Sequence, residues 1–189
     1  MAETLEQACL AGAAREFRRL KKLADDAVAQ ISGADFFHRP DASSNSVALI
    51  VKHVAGNLRS RWTDFLTADG EKPDRRRDQE FEISAGDTRE ALLHRWEQGW
   101  RRVFETLESL APADLEKTVF IRSEPHSVLE AIQRQLTHNA YHAGQIVFLA
   151  KHLRSGGWKT LSIPRGGTEE FNARMRDRFR DAKRRFPDE

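Results

Sequence analysis

The 189 residues suffice for one domain with a core that needs no disulfide staple, and 39% hydrophobic with 32% charged residues is ordinary for a soluble helical protein. A formal net charge of only +2 gives no global field that would draw the chain to nucleic acid or to a membrane surface. The single cysteine, Cys9, excludes an intramolecular disulfide, and no stretch approaches the roughly 20 apolar residues that cross a bilayer.

The acidic start, Met1 to Glu6, lacks the basic and apolar regions of a signal peptide, so the expected compartment is the cytoplasm. From Thr4 to about Ile31, the residues Leu5, Cys9, Ala13, Phe17, Leu20, Ala24, Val28 and Ile31 recur at three- and four-residue steps. That period predicts a first amphipathic helix with Cys9 as a buried structural thiol. After a loop with Ser32-Gly33 and Arg39-Pro40-Asp41, Asn45-Ser46 offers a cap for a second helix from about Val47 to Leu66. This helix carries His53 and, one turn on, Asn57. The stretch from Asp69 to Arg77 reads as a solvated charged loop, because Glu71, Asp74, Asp78 and Glu80 surround Arg75-Arg76-Arg77. Asp87 and Glu90 form a capping pair for a third helix whose apolar face includes Leu92, Trp96, Trp100, Val103 and Leu107, ended by Ala111-Pro112. Thr118 to Ile121 has strand-forming residues and is expected to pair with Phe81 to Ile83.

The fourth helix has the clearest signals. Ser127 and Glu130 form a capping box, apolar residues continue to Leu153, and Gly156-Gly157 supplies the stop. Ile132, Leu136, Ala143, Val147 and Ala150 form one stripe, and His138, His142, Gln145 and Leu149 form its neighbour. Two inward stripes suit a four-helix bundle with ligands projecting into its core. Trp158 to Gly167 reads as an extended cover segment, and Thr168 to Phe186 as a short final helix whose arginines are balanced by acids, so no nucleic-acid arm is expected. The whole is expected to be one all-α domain over 1–189, with its bundle core at about 4–155 and the cover segment and helix at 158–186.

His138 and His142 stand four residues apart, which puts both imidazoles on one helix face and within reach of a single metal ion. Asn139 follows His138, so the glutamate of a His-Glu-x-x-His metalloprotease is missing. With His53 as a third ligand, a fourth coordination position stays open to water or substrate, as in catalytic zinc sites. Such an ion lowers the pKa of water to about 7 and can equally deprotonate a thiol. Hydrolysis usually adds a general base, whereas a thiolate is itself the nucleophile. No acid lies on the His138/His142 stripe, which favours the thiol reading unless Asp35, Asp78 or Glu80 supplies a carboxylate from a loop. Gln145 and Gln135, one turn either side of the pair, can hydrogen-bond an imidazole or a substrate. His38, His94, His126 and His152 read as surface residues.

Val51-Lys52-His53-Val54 together with Thr137 through Ile146 resembles the DinB-like superfamily of metal-binding four-helix bundles, which includes YfiT-like metal-dependent hydrolases and bacterial thiol S-transferases. Asp78-Gln79-Glu80-Phe81, Trp158 through Gly167 and Phe171-Asn172 are similar to an uncharacterised branch of that superfamily, and the resemblance runs from about Phe17 to Asn172. It implies that His53, His138 and His142 bind a divalent metal, zinc with nickel as the alternative, in a homodimer that acts on a small-molecule substrate. The expected function is a metal-dependent transferase of the low-molecular-weight thiol type or a hydrolase, with Gln145 as the candidate catalytic support. The alternatives are a non-catalytic metal-binding or ligand-sensing bundle, and a purely structural protein.

Overall fold

The computed structural model of the protein describes residues 3–180. Among these it has six α-helices and one two-stranded sheet. The residues fall into two compact units, the first ending at Gly156 and the second beginning at Gly157.

In the first unit, α1 (Leu5–Val28) opens on a capping box in which the Thr4 hydroxyl accepts from the Gln7 backbone and the Gln7 side chain accepts from the Thr4 N–H. Its stripe of Ala13, Phe17, Ala24, Ala27 and Val28 is buried, while Leu5 is exposed and Cys9 only half-buried, so the buried-thiol expectation fails at the helix start. The short α2 (Gly33–Phe37) is capped by Ser32. Ser46 caps α3 (Val47–Trp62), which is buried on nearly every side. That helix stops four residues earlier than its apolar pattern suggests, because Thr63 turns extended and Asp64 adopts a left-handed φ of 48°.

Thr88, rather than Asp87, caps α4 (Arg89–Ser109). Asp87 is instead drawn into ion pairs with Lys52 of α3 and Arg95. The Ser127–Glu130 box starts α5 (Val128–Arg154), whose end runs into a 3-10 turn at Ser155–Gly157. The four long helices pack cyclically: α3 against α4 most extensively, then α1 against α5, α3 against α5, and α1 against α4. Between them Phe17 meets Trp62 and Trp100 edge-on, and Trp100 meets Trp96 in the same way, which builds an aromatic centre. Close approach of α3 and α4 needs Gly99, where a Cβ would lie 3.1 Å from Leu58 Cβ and 3.4 Å from the Ala55 carbonyl.

The strand β1 (Thr118–Ile121) pairs antiparallel with β2 (Glu124–Ser127), with Ile121 opposite Glu124, and not with residues 81–83. The two-residue turn Arg122-Ser123 puts both residues at positive φ, 55° and 63°, the geometry of a type I′ hairpin without its usual Asn-Gly. Asp69 compensates by accepting from both turn N–H groups, at 2.8 and 2.7 Å, and the Gly70 N–H donates to the Phe120 carbonyl at 2.7 Å. The hairpin is thereby fixed to the loop that follows α3.

In the second unit α6 (Thr168–Arg178) follows a turn with Gly166 at φ 79°. It ends at Arg178 with Phe179 as its cap, short of the expected Phe186, and residues from 181 on lie outside those described. No helix among the described residues is long and apolar enough to cross a membrane.

Candidate metal centre

The middle of α3 faces α5 and brings His53 to His138 and His142, so that one ring nitrogen from each lies within 4.8 Å of the others. Nε2 of His53 is 3.4 Å from Nε2 of His138. Two nitrogens bound to one tetrahedral zinc at about 2.0–2.1 Å are also separated by about 3.4 Å. His53 is buried, and the other two rings are half-buried.

The hydrogen bonds on the outer side of each ring settle which nitrogen faces inward. His53 Nδ1 lies 2.8 Å from Glu80 Oε2. A carboxylate only accepts, so Nδ1 carries a hydrogen, and in the neutral ring Nε2 is the nitrogen left to ligate. His142 Nδ1 donates to Gln145 Oε1 at 2.8 Å, leaving its Nε2 in the same state. Gln135 directs its two N–H groups to Asn57 Oδ1 at 3.0 Å and Asn139 Oδ1 at 2.9 Å. With those hydrogens engaged, His138 Nδ1, 3.4 Å from Asn139 Oδ1, is the donor of that pair. With all three rings neutral, as metal ligands must be, each keeps Nε2 free of these partners, and the set could hold a cation. Burial, reinforced by His142 and His53, pushes the His138 imidazole down to about 4. Burial likewise lowers His142, against the bond from Gln145 and with His53 adding to it. Near neutral pH both are therefore neutral, the form that ligates a metal.

Glu80 is itself held in place. Arg75 donates from Nε and Nη2 to its two oxygens at 2.8 and 2.9 Å, a bidentate pair. Burial raises the Glu80 carboxyl, yet the bonds from His53 and Arg75 outweigh that and leave it below the ordinary range. The next residue, Phe81, stacks on the His53 ring with centroids 4.8 Å apart, and Arg77 lies over Phe81. Gly56, three residues after His53, makes room for the carboxylate: a Cβ there would lie 2.3 Å from Glu80 Oε1.

Of the three loop carboxylates that the sequence leaves open as a base, Asp35 closes the Ser32 cap, Asp78 is fully exposed, and Glu80 sits on the outer side of His53. Glu80 therefore orients an imidazole and does not face the converging lone pairs. Arg75, expected in a solvated loop, is buried to 3% side-chain exposure by its ion pairs with Glu71 and Glu80. Glu80's hold on His53, the Arg75 clamp, Gly56, and Asn57 as partner of Gln135 were not anticipated. The signal for Gly56 and Glu80 was a glycine one turn beyond His53 in a helix with buried neighbours all round. His38, His94 and His152 are exposed, and half-buried His126 faces Glu124 and Arg134, so none joins the cluster.

A cavity of about 190 Å³ reaches the cluster, and His53, His138, Asn57 and Gln135 wall that end of it.

The model of a family described as "Protein of unknown function (DUF1572)" matches residues 5–167, which include the three histidines and Glu80, and the chain belongs to that family. No curated protein matches it.

Proposed function

We propose that this member of an uncharacterised family is a DinB-like four-helix bundle that holds a divalent metal, zinc with nickel as the alternative, on His53, His138 and His142. The observation that carries the reading is that His53, His138 and His142 bring one ring nitrogen each within 4.8 Å of the others while their Nδ1 atoms meet Glu80, Asn139 and Gln145. The cyclic packing of α1, α5, α3 and α4 supports the bundle. Three ligands leave one position for a substrate atom, and the cavity supports access to it. Bound there, the ion would supply Lewis acidity that brings a water or a thiol towards ionisation near neutral pH.

What the chain adds is orientation. Glu80 and Gln145 hold two rings in one tautomer, which raises ligand basicity and keeps the geometry fixed. Among the described residues no carboxylate lines the cavity, so the nucleophile has to bring its own acidity. A low-molecular-weight thiol does this more readily than water, which places thiol transfer to a small electrophile ahead of hydrolysis. A metal-binding or ligand-sensing role without turnover is the second reading, and the missing base is also what it would predict. We also propose a homodimer: α5 leaves Tyr141 and Phe148, seven residues apart on one face, 64% and 72% exposed.

The test is metal content of protein purified without added metal or a histidine tag, for the wild type, His142→Ala and Gln145→Ala. His142→Ala should lose the metal. Gln145→Ala should keep most of it and turn over about 10–100-fold more slowly. Activity is screened with electrophiles plus a low-molecular-weight thiol, and separately with amides and esters. Full occupancy in His142→Ala would overturn the site, and metal without activity in either panel would favour the non-catalytic reading.

A further inference from the structure

The cavity that meets the histidines is walled by cations as well as aromatic rings. Arg61 comes from α3, Arg75 from the loop after it, Arg77 from the start of the 3-10 turn Arg77–Phe81, and Arg122 and Arg134 from the hairpin turn and α5. Trp62, Phe65 and Phe120 supply apolar wall, and no Asp or Glu is among the described lining residues. The carboxylates that balance these arginines lie outside the lining and are shared unequally. Glu71 alone takes Arg61 at 2.9 Å, Arg75 at 3.1 Å and Arg122 at 3.3 Å. Glu80 is committed to Arg75 and His53. Among the described residues Arg134 meets Glu124, 60% exposed, and His126.

The guanidinium forks are also only partly used. Within the described residues, hydrogen bonds engage Nη1 alone on Arg61 and on Arg134, and Nε alone on the Arg122 side chain. Burial holds Arg61 below its ordinary range, with the Arg75 and Arg122 charges adding to burial and Glu71 opposing it. Three of these guanidiniums share Glu71 beside an apolar wall, an arrangement that an oxyanion would stabilise.

We propose that this cavity binds a small organic anion, a carboxylate or phosphate ester with an apolar body. Arg61, Arg122 and Arg134 take its charged group, and the body lies against Trp62, Phe65 and Phe120. This rests on the reading above only in making the anion the substrate of the histidine site; the binding itself needs no metal. The cavity lining includes His53 and His138, so a bound anion is placed next to the proposed metal position.

Binding of benzoate, phenyl phosphate and the neutral isostere benzamide is measured by calorimetry on the full chain. It is done with metal removed by chelator, in His142→Ala, and with zinc restored. Benzoate or phenyl phosphate should bind the metal-free protein, and benzamide at least about tenfold more weakly. Arg122→Met and Arg134→Met remove half-exposed side chains, at 55% and 50%, so the fold is expected to persist. Each should weaken the anion about tenfold or more, the loss of one hydrogen bond to a charged group. Arg19→Met, on the 79%-exposed surface of α1, lowers the net charge equally and should have no effect. Equal affinity for benzamide and benzoate, or equal losses in Arg19→Met and Arg122→Met, would overturn the inference. Anion binding without any metal uptake would leave it standing while refuting the metal site, and binding seen only with zinc restored would assign the anion to the metal and overturn the arginine pocket.

Discussion

Replacing Gly56 by alanine tests whether Glu80 matters to the histidine site through its position alone. The new Cβ would sit 2.3 Å from Glu80 Oε1, 2.8 Å from Cδ and 3.3 Å from Cγ. The first two are closer than real Cβ contacts come, so the carboxylate has to leave its place on His53 Nδ1, now 2.8 Å away. A lost hydrogen bond to a charged group costs about 1.5–3 kcal/mol. Alanine returns about 1 kcal/mol of helix propensity in α3. Oε1 is also the acceptor of Arg75 Nε, so that bond is disturbed with the one to His53, and the net destabilisation is roughly 2–5 kcal/mol, below the about 5–15 kcal/mol stability of a typical domain. The effect on metal should be larger in proportion, because His53 loses the partner that fixes its tautomer and ring angle, and such partners are worth about 10–100-fold in affinity. Zinc affinity is measured by competition with a chromophoric chelator, and stability by urea titration, for Gly56→Ala, Glu80→Gln and the wild type. The two variants should weaken zinc by similar factors. If Gly56→Ala bound zinc as tightly as wild type, the carboxylate would not be orienting His53 and the account of the site would be wrong.

Three other expectations follow from single contacts. Asp69→Ala should remove both acceptors of the Arg122 and Ser123 N–H groups, destabilise by about 1–3 kcal/mol, and make those two amides exchange with deuterium much faster; unchanged exchange would show that the positive-φ turn does not depend on Asp69. Burial raises the Asp87 carboxyl, but bonds from Lys52 and Ser84 outweigh it and hold it far below the ordinary range, so the unfolded chain takes up a proton first as pH falls below about 4. The stability from Asp87 is therefore present above that pH and lost as acid is added, and Asp87→Asn should be less stable at pH 7 yet decline less steeply from pH 5 to 3 in urea titrations; parallel slopes would count against it. Light scattering at micromolar concentration should give a dimer that Phe148→Glu converts to monomer, and a wild-type monomer would refute the proposed assembly.

Two helix starts were legible because a cap is a local device: Ser46 with the Leu49 N–H and Ser127 with Glu130 close within three residues, whereas Ser32, which caps α2 in the same way, reads in the sequence as loop. The same locality made the His138/His142 pair visible, since four residues is one turn of helix. The errors came where a residue that could serve locally was claimed by a distant partner. Asp87 has the chemistry of a cap but answers Lys52, 35 residues away, and Thr88 takes over the cap. Arg75 sits in a run of charges that reads as solvated, yet it clamps a buried glutamate. The partner of β1 was misjudged because Arg122-Ser123 carries none of the Asn-Gly chemistry of a tight hairpin; what makes the turn possible is Asp69, 53 residues before it.

The candidate site divides along the same line. Its three imidazoles could be named from helical spacing and resemblance, whereas what gives them a direction could not: Glu80 reaches His53 across 27 residues, and Gln135 ties Asn57 across 78. Asp78-Gln79-Glu80-Phe81 was informative as a motif without revealing its purpose, which the geometry supplies, one residue bonding the His53 ring edge and the next stacking on its face. A ligand set that converges only because separate elements hold each ring is sensitive to changes that never touch the ligands. That is why an alanine at Gly56, a residue with no side chain, is the sharper probe of the centre than the loss of a histidine.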